Sequence, residues 1–190
     1  DVAMSILLQR TNDIVLMQCN TNYTASLGNF KYINLNVLKE YSRKYPDCVL
    51  GLSDHTPGHA TVLGAVALGA RVIEKHFTNN TNREGPDHKF SMDFNSWRDM
   101  VNRTRELENA LGSSTKRVEF NEKETVILQR RSIRTKKDLV IGDQIHENDI
   151  EFLRPCPEDA LPPYELEKIL NRELAEDIKS GDYLKWTSIK

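Results

Sequence analysis

The sequence predicts an α/β protein: a parallel sheet flanked by helices, followed by a second, smaller domain of short strands. Three observations carry this expectation. The apolar runs Leu50-Gly51-Leu52 and Val72-Ile73 each lead within a few residues into a histidine, His55 and His76, and these lie 21 residues apart. Between them, residues 59–70 are small and apolar and long enough for one helix, so the segment reads as a strand–helix–strand unit. After Gly112 the texture changes to charged and then to short β-like pieces separated by turns.

Each element follows from its residues. Residues 2–8 are apolar with helical character, and Thr11-Asn12-Asp13 breaks that helix. Residues 14–19 form a continuous apolar run of the kind buried on both faces of a parallel sheet. A polar loop rich in Asn, Thr and Ser fills residues 20–29. Ile33, Leu35, Val37, Leu38 and Tyr41 give a helical stripe up to Tyr45, where Pro46 stops it. Residues 49–52 are the next strand, and Pro57-Gly58 opens a helix that runs through Leu68 and closes at Gly69. Residues 72–77 are the third strand. A long polar loop containing Gly85-Pro86-Asp87 follows, and then an amphipathic helix over 95–111 that ends at Gly112.

Right-handed crossovers between these strands imply a parallel sheet. Three strands neither close a barrel nor cover both faces of a sheet, so residues 1–112 read as the C-terminal part of something larger. Residues 113–128 read as a linker and residues 129–190 as a second domain. In that domain Asp177-Ile178-Lys179-Ser180-Gly181-Asp182 echoes Asp138-Leu139-Val140-Ile141-Gly142-Asp143, which predicts internal pseudo-symmetry.

Composition narrows the function classes. The 190 residues carry a formal charge of −2, which gives no bulk electrostatic case for nucleic acid or an anionic membrane. Arg130-Arg131 lacks interleaved aromatics and reads as a solvated edge. No apolar run approaches the roughly 20 residues of a membrane span, and residues 1–9 do not have the layout of a signal peptide. Cys19, Cys48 and Cys156 are widely spaced and odd in number, which reads as reduced thiols in a cytoplasmic protein; Cys19, at a strand end, reads as a small buried hydrophobe in preference to a residue near an active site.

The candidate site is the histidine pair. In parallel α/β folds chemistry sits at the C-terminal ends of the strands, and two converging imidazoles are a seat for a divalent metal. Asp54 either orients a histidine or caps the following helix. Asp87 is either a turn residue or a ligand contact. His88 is open between the same two roles. His59 reads as part of the helix start and His146 as a surface residue.

Ser53-Asp54-His55-Thr56, Glu74-Lys75-His76-Phe77-Thr78 and Gly85-Pro86-Asp87, with Arg130-Arg131-Ser132-Ile133 and Leu153-Arg154-Pro155 downstream, occur in one order along the whole chain. With these motifs the chain resembles the sialic acid synthases, the N-acetylneuraminate synthase family and its relatives that make legionaminic and pseudaminic acids. The resemblance implies the C-terminal part of a (β/α)8 TIM barrel, its last three strands, in residues 1–112. It implies a small antifreeze-like (SAF, β-clip) domain in residues 129–190.

The implied reaction condenses phosphoenolpyruvate with an N-acetylated hexosamine, such as N-acetylmannosamine or a diacetamido-trideoxyhexose, to a nine-carbon 2-keto sugar acid plus phosphate. By that resemblance His55 and His76 bind a divalent metal, Mn or Mg, that polarises the sugar aldehyde. Ser53 helps bind phosphoenolpyruvate, and Glu74 faces the sugar as part of the catalytic set. Asp87 meets a sugar hydroxyl, Tyr23 lines the pocket, and Asn20 or Asn22 contacts substrate from the same loop. Arg154 reaches the partner's site in a domain-swapped homodimer.

Two departures touch sugar specificity: Tyr23-Thr24-Ala25-Ser26 stands where many relatives have Tyr-Pro-Thr-Pro, and Arg154-Pro155-Cys156 where many have Arg-Pro-Gly. The family's phosphate-binding lysines and a catalytic acid come from strands outside these 190 residues, so the chain alone is expected to be inactive. Two other readings stand beside this one. One is another metal-dependent barrel aldolase or isomerase of small sugars; the other is a non-catalytic carbohydrate-binding fragment.

Overall fold

Three strands, β1 (Val15–Cys19), β2 (Val49–Asp54) and β3 (Val72–Lys75), pair in parallel in the order β1-β2-β3. The structure, a computed structural model, describes residues 2–190, and these divide into two units between Ser114 and Thr115. The first unit also contains α1 (Val2–Leu7), α2 (Val37–Lys44), α3 (Ala60–Ala67) and α4 (Phe94–Leu111).

Register decides which face each strand residue occupies. Met17 pairs with Gly51, Cys19 with Ser53, and Ser53 with Glu74, so positions 15, 17 and 19 share a face with 49, 51 and 53 and with 72 and 74. The opposite face carries Leu50, Leu52 and Ile73. They pack with Val62, Ala65 and Val66 of α3 and with Leu38 and Met100 into one core under the helices. The first face is open: Val15, Val49 and Val72 are 47%, 44% and 37% exposed. Cys19 lies on that face and is exposed rather than buried, because alternation turns odd-numbered β1 residues away from the helices.

Element boundaries shift where the backbone takes special conformations. The stripe expected from Ile33 becomes helical only at Val37: residues Leu27–Tyr32 form a 3-10 helix, and Asn34 adopts a left-handed φ of 51° that interrupts the path. α3 begins at Ala60 rather than Pro57, since Gly58 sits at φ 73°. β2 runs on to Asp54. β3 stops at Lys75, and Phe77 makes a single parallel bridge with Met92. α4 starts at a capping box in which Asp93 Oδ1 accepts from Ser96 N (2.8 Å) and Ser96 Oγ accepts from Asp93 N (2.9 Å). The Ser96 hydroxyl and backbone N–H hold the Asp93 carboxyl below its usual range.

In the second unit, part of the stretch read as a linker is helical. A 3-10 turn at Phe120–Glu122 leads into α5 (Lys123–Gln129). Then come the antiparallel pair β4 (Ser132–Thr135) and β5 (Ile150–Leu153) and the short α6 (Leu166–Ile169). The core gathers Ile133, Leu139, Ile145, Ile150, Leu161, Ile169, Leu174, Ile178, Leu184 and Ile189.

The echoed segments are paired across a pseudo-twofold. Leu139 and Ile178 exchange N–H···O bonds of 2.9 Å in both directions. Asp138 Oδ1 accepts from Ser180 N (2.9 Å), and Asp177 Oδ1 accepts from Ile141 N (2.8 Å). Gly142 N donates to the Leu174 carbonyl and Gly181 N to the Thr135 carbonyl. Every correspondence has the same offset, 39 residues, read from these pairs. The Lys179 ammonium and the Ser180 N–H hold the Asp138 carboxyl below its usual range.

Gly142 and Gly181 occupy equivalent turns at φ 91° and 87°, a region that costs an L-residue energy even though a Cβ would meet nothing within 4 Å at either position. Gly142→Ala and Gly181→Ala should each therefore lower stability by about 1–2 kcal/mol through the backbone alone. Urea unfolding of the two variants should give similar losses, matching the equivalence of the turns.

Candidate functional site

Along the open face of the sheet, residue type changes from apolar to polar toward the C-terminal strand ends. Val15 and Val49 form the first rung, and Cys19, Ser53 and Glu74 form a later one. On that later rung Ser53 Oγ donates to Glu74 Oε1 at 2.8 Å. His55 and His76 come two residues beyond Ser53 and Glu74, so the two imidazoles are set by strand register and arrive together. Their ring centroids are 5.0 Å apart.

Two further rings close the group. Tyr23, from the loop after β1, lies 4.0 Å from the His55 ring at a tilt of 35°. Phe90 meets His76 edge-on at 5.1 Å and His55 at 5.9 Å. The result is that His55 is only 3% exposed. Its Nδ1 lies 2.9 Å from the Asn20 carbonyl oxygen. A carbonyl only accepts, so this bond assigns the proton to Nδ1 and leaves the lone pair on Nε2. His76 Nδ1 faces Asp87 Oδ2 at 3.5 Å. Both imidazoles thus turn Nδ1 toward an oxygen, the arrangement that orients a histidine for ligation through Nε2.

Behind the histidines, on the helix side of the sheet, lies a buried ion pair. Lys75 Nζ sits 2.7 Å from Asp54 Oδ2, and the two side chains are 1% and 0% exposed. Lys75 also donates to the Thr56 carbonyl (2.6 Å), while Asp54 accepts from Thr56 N, Thr56 Oγ1 and Thr61 Oγ1. Asp54 therefore takes neither of the roles weighed for it. Strand alternation turns it away from His55, and the position before α3 belongs to His59, whose side chain makes no cap. Its carboxylate is used up by Lys75 and two threonines.

The structure places the other candidates as follows. His55, His76, Tyr23 and Asp87 come together, with Ser53 and Glu74 on the adjoining rung. Asn20 contributes its backbone carbonyl to His55, while its side-chain amide is engaged within the loop, with Tyr32 O and Asn22 N. His88 bonds Thr78 Oγ1 through Nδ1 at 2.8 Å and so ties the ends of the 78–91 loop. His59 Nδ1 faces Asp99 of α4 at 3.6 Å. Arg154 belongs to the second unit, where its Nε donates to the Gln129 carbonyl at 2.6 Å.

Sequence reasoning missed Phe90, which lies in a polar loop with no periodicity to mark it. It also missed Lys75, whose only signal was a lysine at the end of a short strand, between Glu74 and His76.

Among the described residues no group of three or more His, Cys, Asp or Glu side chains is placed to hold a metal ion. The donor set nevertheless suits a divalent cation in part: two imidazole nitrogens on neighbouring strands, one with its tautomer fixed by a backbone carbonyl. Among the described residues no helix is long and apolar enough to cross a membrane.

Comparison with known proteins gives this geometry a context. The NeuB family profile matches residues 1–116, and the SAF domain profile matches residues 130–190. An N,N'-diacetyllegionaminic acid synthase of Legionella pneumophila is 37% identical over 177 residues, covering 93% of this chain and 48% of that protein. A pseudaminic acid synthase of Campylobacter jejuni is 35% identical over 180 residues, covering 93% and 50%. The chain spans about half the length of the curated relatives it matches. Among solved structures, the N-acetylneuraminic acid (sialic acid) synthetase of Leptospira borgpetersenii superposes with a TM-score of 0.57 at 28% identity, over 66% of this chain and 42% of that one.

The buried pair gives a direct test of what supports the histidines. Lys75→Met leaves the Asp54 carboxylate without its counter-charge and should cost about 3–5 kcal/mol of stability, although Lys75 faces away from the imidazoles. Denaturant unfolding monitored by circular dichroism measures the loss.

Proposed function

The chain belongs to the NeuB family, its first unit a TIM-barrel part and its second a SAF domain, and on that premise we propose that it serves nonulosonate synthesis. The reaction is the condensation of phosphoenolpyruvate with an N-acetylated hexosamine to a nine-carbon 2-keto sugar acid plus phosphate. The relatives named as legionaminic and pseudaminic acid synthases support this reading. The observation that carries it is the imidazole pair at the strand ends, with Nδ1 of each turned to an oxygen.

In this reading His55 and His76 hold a divalent cation, Mn or Mg, through Nε2. When bound, the cation supplies Lewis acidity at the aldehyde oxygen of the sugar. The protein supplies position. The Asn20 carbonyl fixes the His55 tautomer, and Asp87 does the corresponding work for His76 while presenting its second oxygen to a sugar hydroxyl. Glu74, held by Ser53 Oγ through one carboxylate oxygen, keeps the other for the sugar on the rung below the histidines, and Ser53 turns its one hydroxyl proton from Glu74 to phosphoenolpyruvate when that anion binds. Tyr23, half exposed, gives the pocket an aromatic wall with a polar tip. Arg154 brings a planar guanidinium suited to a substrate oxygen, from the SAF domain of a partner in a homodimer.

The test, run with the remaining barrel strands present, is phosphate release from phosphoenolpyruvate that requires both a divalent metal and an added N-acetylated hexosamine. Calorimetric titration with Mn2+ accompanies it. His55→Ala and His76→Ala should each weaken Mn2+ binding by at least about tenfold and abolish metal-dependent phosphate release. Undiminished metal affinity in either variant removes the metal role, and release independent of the sugar removes the condensation.

A further inference from the structure

The contact between Asp87 and His76 is weak by itself. The two atoms face each other at 3.5 Å, and the Asp87 side chain is 45% exposed. Among the described residues no hydrogen bond holds the Asp87 carboxylate, so its aim at the imidazole depends on the backbone that carries it. An exposed pair of this kind gains little unless its geometry is fixed beforehand, because water screens the charge and the side chains lose freedom.

The loop fixes it from within. The Asp87 carbonyl accepts from Ser91 N at 3.2 Å and from Ser91 Oγ at 2.7 Å. One residue further, His88 Nδ1 lies 2.8 Å from Thr78 Oγ1. Gly85 leaves room for that ring, since a Cβ there would meet His88 Cδ2 at 2.8 Å. Thr78 is a firm anchor: it is 4% exposed, and its N donates to the Met92 carbonyl while Met92 N donates to the His76 carbonyl, both at 2.9 Å. Thr78 stands two residues beyond His76, and His88 stands next to Asp87. The His88–Thr78 bond therefore joins the segment that carries Asp87 to the segment that carries His76, and closes a ring through the contact between them.

We propose that His88 is a positioning residue for the histidine pair: by its bond to Thr78 it holds Asp87 against His76 and so keeps His76 Nε2 aimed at a divalent cation. This rests on the reading that His55 and His76 bind the metal. His88 touches neither the cation nor the substrate; it acts through Asp87 alone.

A double-mutant cycle tests it, with the remaining barrel strands present and Mn2+ affinity read by calorimetric titration of variants shown by circular dichroism to be folded. His88→Ala and Asp87→Ala should each weaken Mn2+ binding about tenfold, and the double variant should bind no more weakly than Asp87→Ala alone. Thr78→Val removes the other end of the bond and should repeat the loss of His88→Ala. His88→Asn puts an amide atom where Nδ1 lies and should restore affinity close to wild type. A residue that merely stabilised the loop would give losses that add in the double variant. Additive losses, wild-type affinity in His88→Ala or Asp87→Ala, or no recovery in His88→Asn overturn the assignment. A wild-type protein that does not bind Mn2+ overturns the metal reading itself.

Discussion

The first unit is organised around a charge pair taken out of water. Asp54 and Lys75 end adjacent parallel strands in register, and both side chains point to the helix side of the sheet. Each is followed by a histidine, which strand alternation sends to the other face. The ion pair on one side and the imidazole pair on the other are two readings of one register. Desolvating two charges is costly, and the cost is offset here because the remaining bonding capacity is filled locally. Thr56 and Thr61 donate to the carboxylate, and the Thr56 carbonyl receives the ammonium. Thr61 lies in the first turn of α3, so the same network ties the crossover helix to the strand ends it connects.

The second unit reaches stability differently. It has neither a long strand nor a long helix. Its core is a set of isoleucines and leucines, each from a different short segment, brought together by the paired repeat. The exchange of aspartates is the means: Asp138 caps the turn of the other copy at Ser180, and Asp177 caps the first copy at Ile141. Within so small a fold, satisfying turn N–H groups with partner carboxylates replaces the ladders that a larger sheet would provide.

Much of this was legible in the residues. The three strands followed from apolar runs and the crossovers from their spacing, and the histidine pair followed because both runs end in the same residue type. The repeat showed in a six-residue echo. Other features were hidden for physical reasons. An aspartate beside a histidine and ahead of a helix suits a ligand-orienting role and a helix cap equally well, and only burial shows that Asp54 is neither. Phe90 sits in a loop whose polar neighbours conceal it, yet it is among the most buried side chains near the site. Cys19 looked like core because its strand is largely apolar, and only the pairing register shows which face it occupies. Residues 123–128 looked like linker because their charges drowned the short apolar stripe of α5.

The offset of 39 residues in the second unit has a wider meaning. Because each half is completed by bonds from its twin, the pair behaves like a homodimer written into a single polypeptide, with a built-in concentration that never falls. Positions at the shared seam must change in step, since a drift in one copy spoils the turn of the other. Positions exposed on both copies, such as Asn148 opposite Thr187, make no such bond across the seam. A tandem of this kind separates inheritance into two channels: a conservative seam that preserves the architecture, and an outer surface on which the two halves are free to become different from each other.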